Sequence, residues 1–174
     1  MSRGFVKEDD QEEVPIVPQR AYLPEGVTNF VTPAGMNLLL TEKQTLENEK
    51  NDLSSARENE KRIELNFINA KLQLLNNRIA EARVVDLSAQ PKNEIRFGAT
   101  ITLKAESSKN IQTFQIVGVD EADISKGKVS FLSPVSRTLI NKKTGDKVIL
   151  KQAGKDVVYL VTGISYLDEI TGNQ

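Results

Sequence analysis

The stretch Leu46–Arg62 gathers carboxylates: Glu49, Asp52, Glu58 and Glu60 fall within a dozen residues. Hard oxygens at this density suit one chemistry above others, adding ligands to a divalent cation such as Mg²⁺ and orienting water beside it. The plainer alternative is a solvated helix end. The rest of the composition narrows the choice. Histidine and cysteine are both absent, which removes the commonest general base, thiolate nucleophiles, disulfides and Cys-based metal sites. No self-contained catalytic centre is visible, and any chemistry rests on carboxylates, lysines or hydroxyls.

Two helical runs must position these acids. Thr32-Pro33 reads as a helix start, with threonine as the cap and proline at the first helical position. Leu39, Leu46 and Leu53 follow at seven-residue spacing, with Met36 and Lys43 between them. Leu65, Ile68, Leu72, Leu75, Ile79 and Ala82 then repeat at alternating intervals of three and four, an apolar seam of the coiled-coil type. Helices over about 33–53 and 57–85, each about 30–40 Å long at 1.5 Å rise per residue, therefore pair as an antiparallel hairpin. Leu53-Ser54-Ser55 marks the bend, and the acids lie at its exposed tip.

Residues 1–29 read as an acidic, proline-containing tail (Glu8, Asp9, Asp10, Glu12, Glu13; Pro15, Pro18, Pro24), too poor in large apolar groups to order alone. If the tail docks on a partner or a neighbouring subunit, Val14, Ile16, Val17 and Tyr22 are its apolar grips. The hairpin occupies 30–87 and a polar linker 88–96. From there the period becomes strand-like. Strands are expected over 97–104, 112–119, 128–132, 147–152 and 156–166, with a short helix over 135–141 capped by Ser133-Pro134. The fold class is α+β: an antiparallel helical hairpin followed by an antiparallel sheet domain, 97–170, with one short helix.

Lys+Arg 23 against Asp+Glu 24 leaves a net charge of −1. Such a balance gives no support for DNA binding by bulk charge. No window approaches the ~20 apolar residues of a membrane span and no apolar leader opens the chain, so a soluble cytoplasmic protein with no membrane contact is expected.

Three stretches resemble the Gre transcript-cleavage factors of bacterial RNA polymerase. They are Val31-Thr32-Pro33-Ala34-Gly35 with Leu39, Glu42 and Leu46; Arg83-Val84-Val85-Asp86; and Ser133-Pro134-Val135-Ser136-Arg137-Thr138-Leu139-Ile140 with Lys142, Gly145 and Asp146. The resemblance covers about residues 30–168. It implies an FKBP-like C-terminal domain that docks on the rim of the polymerase secondary channel, with Ser133, Pro134 and Arg137 as docking residues. It further implies a hairpin reaching the active site, where an acidic tip shares Mg²⁺ with the polymerase and promotes cleavage near the nascent RNA 3′ end. The protein then needs no cofactor of its own.

Asp52 falls on the family's tip aspartate, both as catalytic residue and as Mg²⁺ ligand. The family's glutamate position falls on Ser55, and the aromatic that follows it is missing. Glu58 is the alternative second carboxylate, reached only with an insertion. Two further readings follow from the altered tip: a channel competitor that does not cleave RNA, and a coiled-coil interaction protein with no polymerase function. A prolyl isomerase, suggested by the implied domain fold, ranks last. Phe97, Phe114, Phe131, Tyr159 and Tyr166 sit at strand positions suited to core packing rather than to an aromatic pocket.

Overall fold

Thr32 and Pro33 begin the first long helix as their types require. The computed structural model describes residues 14–53 and 57–167. Within it Thr32 Oγ1 accepts from the Gly35 amide at 2.9 Å, and helix α1 runs Pro33–Asp52. Helix α2 runs Glu58–Glu81. The seam closes as the spacing demands: Leu39 and Leu46 of α1 and Ile68, Leu72 and Leu75 of α2 are buried in one cluster. Burying each such side chain contributes about 1.5–3 kcal/mol.

The second helix stops sooner than its apolar pattern. At Ala82 the backbone turns extended, ψ 137°, so the helix expected to reach residue 85 ends at 81. Ala82–Val84 is a strand, β2, and it pairs in parallel with Asn29–Val31, β1, in the register Asn29↔Ala82, Phe30↔Arg83, Val31↔Val84. The β-branched pair Val84-Val85 favours strand over helix, and the Val85 amide donates to Val31 O at 3.0 Å. This two-stranded ribbon closes the base of the hairpin.

Five strands form the second module: β3 (Thr100–Ala105), β4 (Ile111–Val117), β5 (Lys128–Ser130), β6 (Lys147–Gln152) and β7 (Lys155–Ser165). Their order is β5-β4-β3-β7-β6. The sheet is mixed rather than antiparallel throughout, because β4 and β5 pair in parallel, Gln115↔Lys128 to Val117↔Ser130. The connection between them, residues 118–127, crosses over by a 3-10 turn at Ile124–Lys126 instead of reversing as a hairpin. Ile101, Leu103, Ile116, Val148, Tyr159 and Val161 fill the core, closed by Leu139 of the short helix α3, Pro134–Leu139. The stretch 88–96 is no loose linker at its end, since Ile95 is fully buried in this same core.

Strands β6 and β7 meet at Ala153-Gly154, both with positive φ, 50° and 78°. A two-residue hairpin loop of this hand suits Asn-Gly, and a non-glycine residue held there costs about 1–2 kcal/mol. Ala153→Asn should therefore stabilise the sheet domain by about 0.5–1 kcal/mol. A thermal melt checks this: an unchanged or lowered midpoint contradicts it.

Candidate functional site

The tip lies where α1 and α2 come closest in sequence. Asp52 is the last residue of α1 and Glu58 the first of α2, and both side chains are exposed. Arg57, the residue before α2, makes no side-chain cap bond, while Glu58 and Glu60 sit in the first turn, where the helix dipole favours negative charge. Ser55 lies outside the described residues, as do Ser54 and Ala56. Mg²⁺ is held by one or two protein carboxylates together with waters and phosphate oxygens. Asp52 fits one such place. Among the described residues no group of three or more His, Cys, Asp or Glu gathers that could hold an ion unaided.

The second cluster is α3. Ser133 Oγ accepts from the Ser136 amide at 3.2 Å and Pro134 occupies the first turn, so the cap forms as the residue types predict. Ser136 is fully buried and its hydroxyl donates to Ser130 O at 2.7 Å, tying the helix to β5. Pro134 and Arg137 face outward. No ion pair among the described residues involves Arg137. Ser133 caps the start of α3 half-buried, and Pro134 and Arg137 are exposed in its first and last turns, on a different module from Asp52 and Glu58.

A third cluster joins the two modules, and nothing in the residue spacing pointed to it. The Phe30, Phe97 and Phe131 rings form a triangle with centroids 5.7–5.9 Å apart, so two of the aromatics that pack against the sheet core also meet the hairpin's base strand. Beside them Thr32 Oγ1 donates to Glu121 Oε2 at 2.5 Å, and Lys128 Nζ lies 3.2 Å from Glu121 Oε1. Arg20 reaches both modules: its guanidinium donates to Glu42 at 2.9 and 3.1 Å and to Asp120 Oδ1 at 3.2 Å. Hydrogen bonding to Glu42 holds the Arg20 pKa above its ordinary value against the opposing effect of burial, and Asp120 adds to it. Arg78 Nε lies 2.9 Å from Asp120 Oδ2, an ion pair whose angle falls short of a hydrogen bond. The segment expected to be a solvated tail is therefore held at Arg20 by charge and at the Ala21 carbonyl by a hydrogen bond from Arg78. Val14, Ile16 and Tyr22 are 86%, 95% and 81% exposed among the described residues.

Asp86, in one of the stretches that carry the family resemblance, has a local task. Its carboxylate accepts from the Ser88 hydroxyl and amide, which cap the 3-10 turn Leu87–Ala89 and hold the Asp86 carboxyl below its usual range.

A family model described as "Transcription elongation factor, GreA/GreB, C-term" matches residues 90–166, which include α3 and exclude the tip. The transcription elongation factor GreA of Thioalkalivibrio sulfidiphilus is 33% identical over 153 residues, 79% of this chain and 97% of that protein. The chain belongs to the GreA/GreB family. It is also 35% identical to the GreA of Maricaulis maris over 100 residues, which cover 58% of this chain and 64% of that protein. Against several such GreA proteins the match spans a little under two thirds of their length. A solved GreA/GreB structure from Nitrosomonas europaea overlaps 79% of this chain and 98% of its own at 20% identity and a TM-score of 0.42. The GreA/GreB chain has no helix, among its described residues, long and apolar enough to cross a membrane.

Proposed function

We propose that this chain is an accessory factor of bacterial RNA polymerase, with no catalytic centre of its own. Its sheet domain docks at the secondary channel through Ser133, Pro134 and Arg137, and its hairpin carries Asp52 toward the polymerase active site. The observation that carries this reading is the placement of one free carboxylate at the end of α1, a helix of 20 residues, about 30 Å from the base that anchors it. A carboxylate so placed adds a hard ligand to the ion that activates water at the RNA 3′ end. Asp52 binds and orients there, and contact with nascent RNA is indirect.

A second reading has an observation in its favour. The position expected to carry the partner carboxylate is Ser55, and a hydroxyl is a poor Mg²⁺ ligand beside a carboxylate. On that reading the hairpin occupies the channel and competes with other entrants without promoting cleavage.

Binding is tested first. Arg137→Glu should weaken affinity for core polymerase about 10-fold or more, the scale of an arginine anchor at an interface, with the circular dichroism spectrum unchanged because Arg137 is exposed. A native chain that pulls down no polymerase leaves only a coiled-coil interaction protein and sinks both readings.

A further inference from the structure

The hairpin is a lever, and what fixes its angle matters as much as what stands at its end. At 24 residues α2 is about 36 Å long, so a 10° turn at the base moves the tip about 6 Å. Chemistry at a metal-held water tolerates far less, since a misplacement of about 1 Å costs on the order of 10²-fold. The base must therefore be held by something stiff.

We infer that residues 18–23 form a strap whose Arg20 locks the hairpin to the sheet domain and so sets where the tip points. Four chain segments meet at this one place. Arg20 comes from the strap, Glu42 from α1, Arg78 from α2, and Asp120 from the connection after β4. The two guanidiniums and two carboxylates balance in charge, and three of the four side chains are largely withdrawn from water, at 19% (Arg20), 11% (Arg78) and 9% (Asp120) exposure. Arg78 also donates to the backbone carbonyl of Ala21, holding the strap from its other side.

Arginine suits the task because its planar fork satisfies two carboxylates in one geometry, and lysine offers only a point charge. A half-buried set of this kind resists salt more than an exposed pair does, and removing Arg20 takes from Glu42 its ion pair and leaves the buried Asp120 with Arg78 alone. Among the other junction contacts, Phe30 with Phe97 and Phe131 and Thr32 with Glu121 lie at the base of the hairpin, in β1 and at the start of α1, and Arg78 of α2 also pairs with Asp120. Arg20 is the only described strap residue that ties α1 to the sheet domain by ion pairs, and Glu42 stands about two turns further along that helix. Contacts confined to one end of a helix act as a pivot, and a second fixed point beyond it removes the rotation. Arg20 is thus a positioning residue. The consequence for cleavage rests on the proposed polymerase reading, and the fixed angle does not.

The test uses the full chain, which has no native cysteine. Spin labels at N59C near the tip and K151C on β6 report the distance between modules, and a second pair at Q44C and Q73C reports the hairpin alone. Arg20→Ala should broaden the first distribution and shift it by several Å while the second stays narrow. A first distribution matching the parent's overturns the inference. Should Arg20→Ala widen the second distribution as well, Asp120→Asn, which keeps the side-chain volume, decides by the same two measurements. In transcription assays at saturating factor, Arg20→Ala should reduce the tip's effect about 10-fold with less than 3-fold change in polymerase affinity. Both label distances are read without polymerase, so failure to bind polymerase would sink the proposed function and leave the strap standing.

Discussion

Gly118→Ala is expected to separate the two modules thermodynamically. A Cβ at Gly118 would lie 2.6 Å from the Phe30 carbonyl oxygen and 3.6 Å from Val31 Cα. Both are backbone atoms, and no rotamer change relieves the clash. Strand β1 would have to retreat, and it cannot do so alone, because it is paired along its length with β2 and Asn29 Nδ2 donates to Arg78 O at 3.3 Å. The whole hairpin base would move, drawing Thr32 away from Glu121. Glu121 is buried, at 7% exposure, so losing that donor removes compensation from a desolvated carboxylate. Overpacking and the lost hydrogen bond together should cost about 2–4 kcal/mol. The two apolar clusters share no buried residue, and the calorimetric signature should be one transition in the parent splitting into two in the variant. A single transition at the parent's midpoint would show that the close approach of Gly118 to Phe30 carries no strain to relieve.

The same junction marks the limit of what residue spacing can show. The hairpin was legible because its signal is local: leucines at intervals of three and four fix which face is buried whatever lies beyond. The cap at Ser133-Pro134 was legible for the same reason, its donor and acceptor being three residues apart. The bond between Thr32 and Glu121 spans 89 positions and that between Arg20 and Asp120 spans 100. No periodicity registers such pairs. A glycine within a strand run can mark a close backbone approach, but the residues around Gly118 do not say to which backbone. The end of α2 was misplaced because Ala82 continues the apolar seam while its backbone has already turned to pair with β1; burial alone does not distinguish helix from strand at a single residue. The parallel pairing of β4 with β5 was hidden because a connection of ten residues reads equally well as a long hairpin loop. At the tip the types of the acids were legible and their roles were not, since exposure leaves Asp52 and Glu58 with the same surroundings.

Asp52→Ala and Ser55→Glu, assayed side by side on backtracked polymerase complexes, resolve those roles. Asp52 ends α1 with its side chain in water, so its removal should leave the melting temperature within about 1–2 °C of the parent, as for most surface changes. Any loss of activity is then chemical. If the parent shortens the RNA in a Mg²⁺-dependent way, Asp52→Ala should reduce the rate about 10²-fold, the scale on which one preorganised charged or polar contact contributes to a transition state. Shortening that survives Asp52→Ala removes Asp52 from the site. Ser55→Glu supplies the second hard ligand beside the first, and a rise in rate shows that the missing carboxylate limits the native chain. A parent with no activity that gains it on Ser55→Glu is a channel competitor one side chain away from a cleavage factor. Glu58→Ala completes the comparison. A loss there equal to that of Asp52→Ala assigns the second carboxylate to Glu58 and predicts no gain from Ser55→Glu, because two carboxylates already satisfy what Mg²⁺ accepts from protein alongside its phosphate and water ligands.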